Sequence, residues 1–205
     1  MIYGNPDLKN YEKHLELEKK FINKNFDKDL NLTYSEPTKQ DIINLFNLYN
    51  SFPNNFKIKM ANYYDDPISV FKNKFFKNNP NITNCAIDKY INYINEIINY
   101  YIFKYKLKFN APRPFQLANK YNIPIYPVAL ITTHTPSYPS GHAALYHGLY
   151  KFFNNIDPYN NYEDILNNGL KSRIIAAVHF EQDNIASKKI IDEIFKNDPI
   201  LKNFN

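Results

Sequence analysis

With 205 residues, of which 44% are hydrophobic, the chain is long enough to bury the core of one folded domain and too apolar to be disordered. Its net charge of +5 comes almost entirely from scattered lysines, which is typical of a solvated surface and argues against a nucleic-acid-binding stripe. A single cysteine, no signal-peptide pattern and no apolar run of 18 residues favour a soluble, cytoplasmic protein without an integral membrane segment.

Predicted helices follow one another along the chain, and no run of residues indicates a strand. Residues 1–35 are expected to form a peripheral N-terminal segment with one amphipathic helix near 11–26. Apolar residues at helical spacing predict six further helices, over 39–51, 67–77, 83–106, 140–153, 163–180 and 183–196. Thr38 and Asp66 are residues typical of helix N-caps.

The longest predicted helix, 83–106, carries apolar residues at alternating steps of three and four, and we assign this stripe to core packing. In the last helix the apolar side is expected to include Ile185 and Ile190. Six prolines predict an ordered but irregular loop over 110–139. These features predict an all-α fold, a compact helix bundle formed by a single domain over 1–205.

Arginine is used sparingly in this chain. Of the 25 lysines and arginines, only Arg113 and Arg173 are arginines. Planar, bidentate recognition of an oxyanion is a role that lysine fills poorly, because an ammonium group is a point charge. The two arginines are therefore candidates for binding a tetrahedral oxyanion.

The stretch 172–183 places Arg173, His179 and Asp183 close together, mostly on an apolar segment where charged residues do not serve solubility. A carboxylate four residues after a histidine can hold one ring N–H and leave the other nitrogen free as a nucleophile. For this stretch alone, the alternative is a histidine on a buried face beside a helix cap.

Three segments together carry one ordered pattern: Lys106 followed after six residues by Arg113-Pro114, then Pro139-Ser140-Gly141-His142, then the stretch 172–183. This pattern resembles the signature of the type 2 phosphatidic acid phosphatase superfamily. That group includes soluble acid phosphatases, membrane lipid phosphatases and vanadium-dependent haloperoxidases. The resemblance covers roughly 106–183, and it implies a helix bundle of the type that these enzymes share, with the catalytic motifs in 100–185.

The resemblance also implies a role for each fixed position. The phosphate-binding residues would be Lys106, Arg113, Ser140, Gly141 and Arg173. His179 would attack phosphorus and form a phosphohistidine, Asp183 would fix its tautomer, and His142 would protonate the departing alcohol. Several cations around one phosphate would act as an electrostatic clamp that requires no metal ion or other cofactor.

Local features support these roles independently. Pro112 and Pro114 bracket Arg113 and restrict the backbone that aims its side chain. Ser140 and Gly141 open a predicted helix, so their backbone N–H groups can bind an anion. Taken singly, the serine could be an ordinary N-cap, as many serines are.

The remaining histidines lie outside the pattern. His14 is expected at the surface, and no role is assigned to His134 or His147. Neither the histidines nor the carboxylates show the spacing of a zinc site.

We therefore expect a soluble, metal-independent phosphatase that hydrolyses small phosphomonoesters or phosphoanhydrides and has no nucleic-acid partner. The alternative is a vanadium-dependent haloperoxidase that holds vanadate at His179, because the stretch 135–143 also resembles that branch of the superfamily. A non-enzymatic, anion-binding relative is the third class. It is disfavoured because the nucleophile, its carboxylate and the acid histidine are all present.

Overall fold

The computed structural model describes residues 8–21 and 31–205, and within these ranges it contains helices and no strand. The predicted all-α fold is therefore confirmed. The α-helices are α1 (Leu8–Phe21), α2 (Lys39–Asn50), α3 (Asn54–Tyr63), α4 (Pro67–Asn78), α5 (Asn84–Phe109), α6 (Pro114–Lys120), α7 (Gly141–Ile156), α8 (Glu163–Ile175) and α9 (Glu181–Asn197). Short 3₁₀ helices cover Ile131–His134 and Leu201–Phe204. Among the helices described, none has the length and apolar character needed to cross a membrane.

Helix α7 lies at the centre of the bundle, where it contacts α4, α5, α8 and α9. The apolar stripe predicted on α5 is buried along its whole length, from Ile87 to Tyr105. On α7 itself Ala144, Leu149 and Phe152 are buried, as the periodicity predicts. The main core therefore surrounds α7, and the first turn of this helix carries part of the predicted site.

Two glycines allow close packing around α7. A Cβ atom added at Gly148 would lie 2.7 Å from Cδ1 of Ile98, so this glycine lets α7 approach α5. A Cβ atom at Gly169 of α8 would lie 2.4 Å from the ring of Tyr146. That ring is fully buried, and its hydroxyl donates to the carbonyl oxygen of Tyr64 at 2.9 Å.

The predicted helix starts at Thr38 and Asp66 are confirmed. Thr38 accepts a hydrogen bond from the N–H of Asp41, and the Asp41 carboxylate accepts the N–H of Thr38 at 2.7 Å, which completes a capping box. Asp66 accepts the N–H of Ser69 at 3.1 Å, with proline at the first helical position. These local signals are readable because each involves residues only three positions apart.

Two helices lie where the sequence predicts none. Helix α3 has only Lys57 and Ala61 buried, so no apolar stripe marks it. Helix α6 interrupts the predicted loop 110–139, because Pro114 at its first position suits a helix start and Leu117 is buried against neighbouring helices. The prediction of an irregular loop from the proline content is therefore wrong for the seven residues of α6.

Helix α8 ends at Ile175, five residues before the predicted end at position 180. Ala177 has a φ of 56°, in the left-handed region. Its N–H and that of the next residue donate to the carbonyl oxygens of Ile174 and Arg173, at 2.9 and 3.2 Å. These are the two hydrogen bonds of a Schellman motif, which usually has glycine at the left-handed position. Because alanine occupies this position, the sequence does not indicate where the helix ends. The turn places His179 after the end of α8 and not within it.

Two further expectations about single residues are wrong. His14 of α1, expected at the surface, is only 8% exposed, because its ring packs against Tyr100 and Phe103 of α5 with centroids 5.7 and 4.9 Å away. Ile185 of α9, expected on the apolar side, is 51% exposed. The end of the predicted helix 11–26 lies outside the described residues.

Candidate active site

The centre of the candidate site is a buried pair formed by His179 and Asp183. Nδ1 of His179 lies 2.9 Å from Oδ2 of Asp183, and the two residues are 3% and 0% exposed. The carboxylate accepts the Nδ1–H, which selects the tautomer with a lone pair on Nε2. The structure thus places the predicted nucleophile against its predicted orienting carboxylate.

Two further donors hold the Asp183 carboxylate. Its Oδ2 accepts the hydroxyl of Ser137 at 2.6 Å and the N–H of Phe180 at 3.1 Å. Burial raises the pKa of Asp183, while these hydrogen bonds act in the opposite direction. The first turn of α9, where Asp183 lies, also favours a negative charge. Burial outweighs these contributions and raises the pKa of Asp183 to about 6, so the carboxylate is ionised at neutral pH and becomes protonated in more acidic solution.

Arg113 lies directly beside the free nitrogen of His179, with Nη1 3.1 Å from Nε2. Nη1 also donates to the carbonyl oxygen of Val178 at 2.9 Å, and Nε donates to that of Thr135 at 2.9 Å. The backbone N–H of Arg113 donates to the side chain of Gln116 at 2.7 Å, which anchors the residue at the start of α6. Burial lowers the pKa of Arg113 to about 10, so the guanidinium stays cationic at neutral pH.

Lys106 lies in the last turn of α5 and is only 5% exposed. Its ammonium group donates to the backbone carbonyls of Pro136 and Ser137, the second at 3.3 Å. Burial and the nearby Arg113 lower the pKa of Lys106 well below its usual value. A bound anion would oppose both effects, so this side chain favours an anionic ligand. We call His179, Asp183, Ser137, Arg113 and Lys106 the nucleophile cluster.

Ser140 is the N-cap of α7, and its hydroxyl oxygen accepts the N–H of Ala143 at 3.2 Å. Its own N–H donates to the carbonyl oxygen of Asp183 at 3.3 Å, which joins the start of α7 to the nucleophile cluster. Gly141 and His142 follow in the first turn, where backbone N–H groups have no acceptor within the helix. Ser140 therefore caps its helix and also lies next to the buried pair.

His142 and Arg173 meet at Asp65, in the short connection between α3 and α4. Oδ1 of Asp65 accepts a hydrogen bond from Nη1 of Arg173 at 2.7 Å and lies 3.2 Å from Nε2 of His142. Arg173 also donates through Nη2 to the carbonyl oxygen of Ala61 at 2.6 Å, and it is 1% exposed. We call His142, Arg173 and Asp65 the acid cluster.

The pKa shifts show that the two clusters act on each other. Burial lowers the pKa of His179 well below its usual value, and the surrounding cations, including Arg173 of the acid cluster, add to this effect. Hydrogen bonds from His142 and Arg173 lower the pKa of Asp65 to about 2, against the effect of burial. Burial also lowers the pKa of His142, while Asp65 raises it. At neutral pH the imidazole of His179 is therefore uncharged.

The two clusters together contain more basic than acidic side chains. The basic side chains are Lys106, Arg113 and Arg173, and the acidic ones are Asp65 and Asp183. Buried charges that lack a counterion are costly, so such an excess favours the binding of an anion. The excess of basic side chains around His179 therefore suits the binding of a small oxyanion.

Sequence reasoning missed three residues of this site. Asp65 is followed by Asp66, which is the N-cap of α4. No pattern in the sequence indicated a role for Asp65 separate from that helix start. Ser137 and Thr135 lie in the stretch 135–143, and the resemblance of this stretch to haloperoxidases could have indicated that they belong to the site. Their contacts with Asp183 and Arg113 appear only in the structure.

A comparison with protein-family models found no match for this chain, and no curated protein matches it. Within the described residues, no group of three histidine, cysteine, aspartate or glutamate side chains is arranged to hold a metal ion. The grounds for assigning an activity are therefore the three sequence segments and the geometry described above.

Proposed function

We propose that the protein is a phosphatase of the type 2 phosphatidic acid phosphatase superfamily, which hydrolyses small phosphomonoesters or phosphoanhydrides through a phosphohistidine. The observation that carries this proposal is the environment of Nε2 of His179. The ring is oriented by Asp183 through Nδ1 at 2.9 Å, and a guanidinium lies 3.1 Å from Nε2. A nucleophile with an adjacent cation that stabilises the charge on the phosphoryl oxygens is what in-line phosphoryl transfer requires.

In the first step, the lone pair on Nε2 of His179 attacks phosphorus and forms a P–N bond. The bond from phosphorus to the leaving oxygen breaks, and that oxygen takes a proton from His142. Arg113, Lys106 and Arg173 stabilise the negative charge on the three non-bridging oxygens, as do the N–H groups at the start of α7. The positive charge that develops on His179 is balanced by the carboxylate of Asp183.

In the second step, the now neutral His142 takes a proton from a water molecule. The resulting hydroxide attacks phosphorus, the P–N bond breaks, and inorganic phosphate leaves. Asp65 supports both steps because it orients His142 and favours its protonated form. The chain's own residues thus supply the nucleophile, the acid and the charge stabilisation.

The pKa directions predict an acidic pH optimum. His142 must be protonated for the first step, and its pKa is lowered, so the active form is lost as the pH rises through a value below 6.5. His179 must be neutral, and its pKa is lowered further, so it stays active well into the acidic range. Asp183, whose pKa is raised to about 6, must be ionised to accept the Nδ1–H of His179, so activity should also fall as the pH drops below about 6. The pH profile should therefore be bell-shaped, with lower activity at pH 4 and at pH 7.5 than near pH 6.

A vanadium-dependent haloperoxidase is the second candidate. It is favoured by Thr135 and Ser137, which both lie in the stretch that resembles that branch. Ser137 belongs to the nucleophile cluster, and Thr135 accepts a hydrogen bond from Arg113 of that cluster. A tetrahedral oxyanion such as vanadate matches the same donors as phosphate, with Nε2 of His179 as the ligand nitrogen. Vanadate would supply the activation of peroxide, and the residues of the two clusters would hold it.

Two assays separate the candidates. We expect the wild-type protein to hydrolyse p-nitrophenyl phosphate in the presence of EDTA, and His179→Ala to lower kcat by at least about 10³-fold because the nucleophile is lost. The exposed His134 provides the matched control, and His134→Ala should retain full activity. Bromination of monochlorodimedone with vanadate and peroxide, without phosphate ester hydrolysis, would favour the haloperoxidase. Activity in neither assay would contradict both.

A further inference from the structure

A cavity with a volume of about 190 Å³ lies against the candidate active site, between α1 and α5. Its walls include His14 of α1 and Asn99, Ile102 and Phe103 of α5. An apolar cavity of roughly 150 Å³ is large enough for benzene, so this space accommodates a single six-membered ring.

The cavity adjoins the predicted phosphate-binding residues. Lys106 and Gly141 line it, and both belong to the set that would bind the non-bridging oxygens. Gly141 directly precedes His142, the proposed acid at the leaving oxygen. His179 and Asp183 are not among the lining residues. Thr135, whose carbonyl oxygen accepts a hydrogen bond from Arg113, also lines the cavity, so a group bound in it lies directly beside the residues that would bind the phosphate.

His14 gives the cavity its chemical character. The residue is 8% exposed, and its Nδ1 is buried without a hydrogen-bond partner among the described residues. Because that nitrogen is closed to solvent, a ligand in the cavity can contact only the other atoms of the imidazole ring. The ring packs against Phe103 and Tyr100, which gives this wall an aromatic surface.

Asn99 adds a second polar group. Its Nδ2 donates to the side chain of Asn95 at 3.0 Å, which leaves its carbonyl oxygen as an acceptor for a ligand hydroxyl. An aromatic wall with two polar groups is the usual composition of a pocket that orients a small ring. Aliphatic chains and bare phosphates would use only part of it.

We propose that this cavity binds the leaving group of the substrate, and that this group is a single aromatic ring carrying a hydrogen-bonding substituent, as in the phosphate ester of a substituted phenol. The inference rests on the proposed phosphatase function and names the substrate class for it. The phosphoryl group would lie between the two clusters, and the ring would extend past Gly141 toward His14.

Binding of non-hydrolysable phosphonates tests this proposal separately from catalysis. We would measure the Kd of phenylphosphonate and of methylphosphonate by calorimetry for the wild-type protein. Burial of a ring predicts that phenylphosphonate binds about tenfold more tightly or better. Asn99→Trp, which fills the cavity from a half-buried position on α5, should bring the ratio of the two constants close to one.

His14→Phe is the second variant, because it keeps the aromatic wall and removes the ring nitrogens. It should retain the preference for phenylphosphonate but lose the extra affinity for 4-hydroxyphenylphosphonate. Glu16→Gln, at an exposed position on the same helix, is the matched control and should leave all three constants unchanged.

Each outcome bears on the proposal. It is overturned if the wild-type protein does not prefer the phenyl compound, or if the preference survives in Asn99→Trp and the hydroxyl effect survives in His14→Phe. A preference that responds to the variants in a protein that hydrolyses no phosphate ester supports the ring pocket and refutes the phosphatase. Hydrolysis of phosphate esters without a preference for the phenyl compound supports the phosphatase and refutes the ring pocket.

Discussion

The nucleophile cluster and the acid cluster are assembled in different ways, although both serve one proposed site. His179 and Asp183 are four positions apart, and every other catalytic residue of their cluster lies on the three recognisable segments, apart from Ser137. In the acid cluster, Asp65 contacts both His142 and Arg173, which lie 77 and 108 positions away in the sequence. A short-range pair is visible in a sequence, whereas a long-range contact is a product of the fold.

The clusters also differ in how firmly their charges are enclosed. The side chains of His179 and Asp183 are 4% and 1% exposed, whereas that of Asp65 is 30% exposed. In the proposed mechanism the acid must meet the substrate, and the more open cluster would be the one that exchanges protons with the leaving group and with water. We therefore expect the nucleophile cluster to control whether the reaction occurs and the acid cluster to control its pH dependence.

The largest effect outside the nucleophile itself is expected for Arg173→Lys. Arg173 contacts Asp65, Ala61 and Ser172 through three different nitrogen atoms, and an ammonium group cannot reproduce this fork. We expect kcat/KM for p-nitrophenyl phosphate to fall about 10²-fold while the helical circular dichroism is retained. Lys171→Arg, an exposed change in the opposite direction on α8, is the control. A nearly silent Arg173→Lys would remove Arg173 from the site.

Asp65→Asn tests the role of the acid cluster in pH dependence. The change keeps an oxygen near His142 but removes the negative charge that raises the pKa of that histidine. The pKa of His142 should therefore fall further, and activity should be lost at a lower pH as the pH rises. We expect a loss of about tenfold at pH 6 and a smaller loss at pH 4.5, from a pH profile of kcat/KM. An unshifted profile would show that Asp65 does not act through His142.

The same carboxylate makes the stability of the protein depend on pH in the acidic range. Its folded-state pKa of about 2 lies below its ordinary value, so its contribution is present above pH 4 and is lost as the pH falls toward 2. We would measure the free energy of unfolding with urea between pH 4 and pH 2. It should fall less with decreasing pH in Asp65→Asn than in the wild-type protein.

Gly169→Ala tests the support beneath the acid cluster. The added methyl group would meet the buried ring of Tyr146, whose hydroxyl holds the carbonyl oxygen of Tyr64, the residue before Asp65. We expect a loss of about 1–3 kcal/mol in the free energy of unfolding, measured with denaturant. Asn167→Ala, at an exposed position on the same helix, should change stability by less than about 0.5 kcal/mol. A cost no larger than that of the control would mean that the ring can move freely.

The smallest effect concerns the turn that frees His179. Ala177 has a φ of 56°, which costs a residue with a Cβ atom about 1 kcal/mol. Ala177→Gly should therefore raise the free energy of unfolding by up to about 1 kcal/mol. Its neighbour Ala176 has a φ of −73°, so Ala176→Gly should lower it instead. If both changes destabilise equally, the left-handed turn is not strained.

Much of the fold was predictable because its signals are local. The apolar stripe of α5 and the cap at Thr38 involve residues three or four positions apart, and both are confirmed. The end of α8 was not predictable, since Ala177 occupies a position that glycine usually marks. The burial of His14 depends on aromatic rings of α5 that are more than 80 positions away.

The candidate site follows the same rule. Its cations and histidines were identified as single positions, and the pairing of His179 with Asp183 follows from their spacing. The contact of Arg113 with Nε2 of His179 spans 66 positions and required the fold. Asp65 could not be found at all, because its contacts with His142 and Arg173 form only where the connection between α3 and α4 meets α7 and α8.

The most direct test of the account is to trap the covalent intermediate in His142→Ala. The p-nitrophenolate ion leaves without a proton, so the first step proceeds in this variant, while the second step is slow because no base activates water. After quenching in alkali, where phosphohistidine survives, mass spectrometry should locate a phosphoryl group on the peptide that contains His179. A phosphoryl group on any other residue, or steady turnover with none on His179, would contradict the account.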